Sequence, residues 1–238
     1  METQQWPHKK FACSTALLTS ILTILTFGIA ILTPPLSGPW CTDSCFTYPF
    51  ADIAGRFPRD YYWMYAALFQ LMAYAVLLAC IYDYAPKEKK LHSLLGLCSG
   101  LIAAAVLFAD YFVQVSVIQP SLIAGETDGI ALLTQFNAHG VFIVAEELGY
   151  LLMGIACLPL AAVFRGKSYI EKSIRWLLLG CFVLTSLSFI AISFAYGLQR
   201  EYRFEIASIS INWIVLIALG FLLYVFFGRA QFRGQVKN

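Results

Sequence analysis

Six apolar runs, each of roughly 20 or more residues, divide this chain and leave it almost no choice of class. They lie at about 11–33, 61–84, 94–118, 139–164, 175–197 and 206–227. At ~1.5 Å of rise per residue, ~20 helical residues cross a hydrocarbon core of ~30 Å. Composition agrees: 60% hydrophobic residues, 13% charged residues and a mean hydropathy of +0.72 exclude an ordinary soluble domain. The expectation is an all-α membrane protein, a six-transmembrane-helix bundle forming a single integral membrane domain over 1–238. The first run is too long for a signal-peptide core and lacks a clear small-residue cleavage site, so it is expected to remain in the mature protein.

The basic residues orient the bundle. With the N-terminus inside, Lys9, Lys10, Lys87, Lys89, Lys90, Arg165, Lys167, Lys172, Arg175, Arg229, Arg233 and Lys237 fall on the cytoplasmic side. These 12 face only four outside: Arg56, Arg59, Arg200 and Arg203. The reading is N-in/C-in in a plasma-type membrane, with the lipid bilayer as the main partner. Membrane orientation accounts for the net charge of +2, and nothing points to nucleic acid.

The segment 34–60 is the longest non-membrane stretch, an outer loop rich in proline and aromatic residues. Its composition suits a rigid, irregular cap folded onto the outer membrane surface, with a substrate lid as the functional alternative. Cys41 and Cys45 lie in this loop, where an oxidising compartment allows a structural disulfide. Their C-x-x-x-C spacing is not the C-x-x-C of thiol oxidoreductases. Between the third and fourth runs, 130–136 is read as a short interfacial helix, with Asn137 as the N-cap of the fourth.

The main anomaly is a pair of glutamates, Glu146 and Glu147, inside the fourth run. An ionised carboxylate in hydrocarbon costs at least about 2.5–3.5 kcal/mol, so such residues usually have a partner or a task. Counting from the run ends puts Asp110 and Glu146 at a similar depth, on the order of 10–12 Å below the outer surface. Gln114 shares a face with Asp110, and His139, Glu146 and Tyr150 share one on the fourth helix, whereas Glu147 points about 100° away. Gln70, Asn212 and a threonine stripe (Thr19, Thr23, Thr26) sit at comparable levels. Together they suggest a polar cavity in the outer half of the bundle. No Lys or Arg lies in the membrane core, which leaves the three carboxylates without a basic partner except His139.

The chemistry these residues allow is limited. Three histidines in the whole chain and no H-E-x-x-H spacing argue against a metal. No nucleophile elbow is present, and no cofactor is expected. The paired glutamates resemble those of intramembrane CAAX-type proteases. However, Leu151 stands where an arginine is expected and the later histidine motifs are missing, so that reading fails. Three classes remain. The first binds or transports a small cationic or lipophilic molecule, with proton coupling as an option. The second is a cofactor-free intramembrane enzyme using Asp or Glu as acid and base on a lipid or isoprenoid. The third is a structural or accessory membrane subunit.

Overall fold

The computed structural model describes residues 6–166 and 168–229. Lys167, Arg233 and Lys237, counted above for orientation, lie outside them. Six helices among the described residues are long and apolar enough to cross a membrane. We label them α1 (Lys9–Ile31), α2 (Tyr62–Tyr84), α3 (Lys90–Val113), α4 (Val141–Ala161), α5 (Tyr169–Tyr196) and α6 (Tyr202–Arg229). Helices suit such sequences because each backbone N–H and C=O is satisfied within its own segment, with no need of water. Each helix packs on its sequence neighbours, α6 returns to α1, and α4 also touches α6. The 34–60 loop caps one end of the bundle (the loop end). The opposite end gathers Trp6 and the ends of α2 and α6, where the Trp6 indole donates to Asp83 at 2.8 Å.

Small residues set the tightest contacts. A Cβ on Gly220 of α6 would collide with the Ser20 hydroxyl and stand 2.6 Å from the Ala16 carbonyl oxygen of α1. The Ser20 hydroxyl donates across this seam to the Ile217 carbonyl at 2.8 Å. Gly96 and Gly100 do not share a single interface. Gly96 abuts Leu160 of α4, and Gly100 abuts Leu78 and Tyr74 of α2, so α3 is wedged between two neighbours.

Several boundaries differ from the sequence reading. The third run continues past Ile118 through a π-helical turn at Gln114–Ile118 to a short helix ending at Ala124. The fourth begins at Val141 rather than His139, and its N-cap is Gly140. Asn137 is not a cap: its amide donates to the Ala131 carbonyl at 2.7 Å and its Oδ1 accepts from the His139 N–H. The expected interfacial helix shrinks to Ile130–Leu133. The fifth and sixth helices start at Tyr169 and Tyr202, several residues early, taking in charged residues that hydropathy alone assigns to loops. The 34–60 loop is not purely irregular. It carries three 3-10 turns, at Gly38–Trp40, Ala51–Arg56 and Arg59–Tyr61, and a Cys41–Cys45 disulfide.

Candidate functional site

At the loop end, α1, α4 and α6 diverge around a cavity of about 540 Å³ roofed by residues 33–40 and 135–136. Aromatic side chains set its walls because they are too bulky to let the helices close. Trp213 sits centrally, with its ring 5.5 Å from Phe27, 6.2 Å from Trp63 and 6.1 Å from Tyr150. Against these apolar walls stand two acidic side chains, Glu146 and Glu205.

Glu146 is 1% exposed, five residues after the start of α4 and so about 7–8 Å below that helix end. Starting the helix at His139, as hydropathy suggests, would place it deeper. Tyr111 of α3 donates its hydroxyl to Glu146 Oε1 at 2.7 Å and stands 2.8 Å from the Tyr150 hydroxyl. Glu205, in the first turn of α6, lines the same cavity as Glu146. Two neighbouring carboxylates repel one another unless a proton or a cation offsets their charge. Oε2 of each glutamate is buried with no protein donor. Buried acceptors are normally satisfied, so these two oxygens have capacity left over.

The other predicted residues divide into those near this pair and those held elsewhere. Asp110 has its Oδ2 buried without a donor, but it does not line the cavity. Gln114 turns to the neighbouring strap, donating to the Leu133 carbonyl at 2.6 Å and accepting from the Gln135 N–H at 3.2 Å. Asn212 donates to the Tyr150 carbonyl at 3.1 Å, which ties α6 to α4, and to the Ser208 carbonyl of its own helix at 2.8 Å. Gln70 is fully buried with neither amide atom paired, and it too is off the wall. The Tyr150 hydroxyl is linked to Glu146 through the Tyr111 hydroxyl. His139 is exposed and precedes α4, so it shares no helix face with Glu146. The threonine stripe is self-satisfied: Thr19, Thr23 and Thr26 each donate to the carbonyl four residues back. The cavity is therefore not the broadly polar chamber expected, but an aromatic one with a single acidic patch.

Glu147 corrects a second expectation. It has a basic partner, because Arg200, from the connection between α5 and α6, reaches both of its oxygens, with Nε at 3.1 Å from Oε1. Ser193 takes a third bond from this guanidinium, at 3.2 Å. In the sequence Arg200 presents itself only as an outer-loop charge. That pair satisfies Glu147, so the adjacent glutamates have different environments.

Glu205, Tyr111 and Arg200 do not stand out in the sequence. Glu205 falls in a loop when the sixth run starts at Ile206, and an acidic residue in a first helical turn is the signal that could have found it. Tyr111 reads as one more apolar residue beside Asp110. Comparison with protein-family models, with curated proteins and with solved structures finds no match to this chain.

Proposed function

We propose that this chain is a multi-pass protein of a plasma-type membrane, with both termini cytoplasmic, that binds and carries a small lipophilic cation in the loop-end cavity. The Lys/Arg asymmetry supports the orientation, which places the cavity in the outer half of the bilayer. One observation carries the ligand class: a paired Glu146 and Glu205, each with a buried unpartnered oxygen, on the wall of an aromatic cavity. Among the described residues no Lys or Arg lines it. Carboxyl oxygens attract an ammonium N–H, while the faces of Trp63 and Trp213 favour a cation electrostatically by ~0.5–2 kcal/mol each. A volume of about 540 Å³ suits a small organic molecule. At such a pair a bound ammonium takes the place of a proton as the offsetting charge, which couples binding to proton release.

The test is equilibrium binding of N,N-dimethyldodecylamine to the full chain in phosphatidylcholine vesicles, with proton release followed by a soluble pH dye. Saturable binding that weakens at least tenfold in Glu146→Gln and Glu205→Gln is the expected result. Binding indifferent to both substitutions contradicts the reading.

One feature favours acid–base catalysis on a lipid or isoprenoid instead, namely the Tyr111–Glu146 hydrogen bond with Tyr150 behind it. That reading requires a product from a lipid extract whose formation is lost in Tyr111→Phe, where simple binding is kept.

A further inference from the structure

The cavity has two boundaries of opposite character. The roof over it is strapped shut by polar and aromatic contacts. The Ser37 and Tyr202 hydroxyls are 2.6 Å apart, and the Tyr202 hydroxyl lies 3.3 Å from the Gln135 carbonyl oxygen. Phe46 and Phe136 pack edge to face at 5.2 Å. Gly38, at φ +71°, lies so close to the Tyr202 ring that a Cβ there would collide with it. A glycine is therefore needed at this point, both for the left-handed backbone and for the roof to seat on Tyr202.

The lining residues that are exposed are all apolar: Ile31, Pro34, Pro35, Trp40 and Ile206. Two of them, Ile31 and Ile206, are 67% and 44% exposed and stand on α1 and α6. These are the same two helices that Ser20 and Gly220 hold together further along. The α1/α6 seam is thus closed at one end and lined by cavity at the other. Along this exposed apolar edge an alkyl chain gains roughly 0.8 kcal/mol for each CH₂ kept from water.

Resting on the binding reading above, we propose that the ligand is a membrane-dissolved amphiphile with a basic nitrogen and one alkyl chain, and that it reaches the cavity sideways between α1 and α6. Its ammonium sits at Glu146 and Glu205, and its chain leaves past Ile31 and Ile206 into the bilayer. The acidic pair lies within about 8 Å of the helix ends, the level at which a protonated amine rests in a lipid leaflet.

Photo-crosslinking of the full chain and of its Glu146→Gln/Glu205→Gln variant tests this. The probe is N,N-dimethyldodecylamine with a diazirine at mid-chain, dissolved in phosphatidylcholine vesicles holding the full protein. Irradiation with and without excess unlabelled N,N-dimethyldodecylamine is followed by peptide mass spectrometry. Competitor-protected adducts on residues 30–31 and 206–209, reduced at least fivefold in Glu146→Gln/Glu205→Gln, are the expected result. Protected adducts confined to the roof, 36–46 or 135–136, overturn the lateral route and leave the binding reading in place. If no adduct is protected by competitor, both fall.

Discussion

The two halves of the α1/α6 seam are built from different residues, and the difference accounts for where this molecule has room. Towards the chain termini, Ala16, Ser20 and Gly220 bring two backbones close enough for a side chain to bond the opposite carbonyl. Without a hydrophobic force between helices in lipid, such close packing is what holds them together. Towards the loop end, Phe27 and Trp213 meet ring to ring at 5.5 Å, and beyond them both helices line a cavity. Small residues close a helix pair, while large rigid rings prop it open. Along this seam, the acidic residues free of a basic partner, Glu146 and Glu205, face the open half.

The largest effect is expected in the closed half. Gly220→Leu forces a side chain into Ser20 and Ala16 and should destabilise by more than ~3 kcal/mol, beyond the usual range for overpacking because backbone atoms stand in the way. Loss of a monodisperse, thermally cooperative protein in detergent is the readout. Gly28, also on α1 but with no atom within 4 Å of where a Cβ would stand, should accept the same Leu with little change. Equal damage at both positions would break the comparison.

A smaller loss is expected at the loop end from Arg200→Met, which leaves the Glu147 carboxylate buried beside Ser193 without its cation. The cost should be on the order of 1–3 kcal/mol, below that of a fully buried pair because the Arg200 side chain is 31% exposed. Adding Glu147→Gln should recover most of it. Non-recovery in the double variant would mean that Arg200 acts through the α5–α6 connection rather than through Glu147.

Asn212→Leu should have the mildest effect. It removes one hydrogen bond that ties α6 to α4 and one within α6 while keeping the same number of side-chain heavy atoms, so about 0.5–1.5 kcal/mol is expected by thermal melting. A loss as large as that of Gly220→Leu would show that the open half depends on polar ties as much as the closed half depends on close packing.

How much of this is legible in the sequence depends on whether the controlling physics is local. The six helices are, because any run of ~20 apolar residues must bond its own backbone in hydrocarbon. Glu146 is legible as a costly residue in such a run, and its partner Tyr111 directly follows the Asp110 that depth counting sets beside it. Glu205 is not, since a carboxyl at the end of an apolar run looks like the loop it borders. Nor is Arg200, because the fold of a short connection decides whether a guanidinium stays in water or turns onto Glu147. His139 shows the opposite failure. A two-residue error in the start of α4 places an exposed side chain on the face of a buried one.

The central claim is that Glu146 and Glu205 are kept for a ligand and not for the fold. Thermal melting of Glu146→Gln and Glu205→Gln, run in parallel with N,N-dimethyldodecylamine titration, tests it most directly. Amide replacement removes a buried acidic group with an unpartnered oxygen, so each variant should melt at or above the temperature of the unaltered chain while amine affinity falls at least tenfold, about 1.4 kcal/mol. If instead both variants melt several degrees lower with amine affinity intact, the pair is a structural tie and the cavity has another purpose.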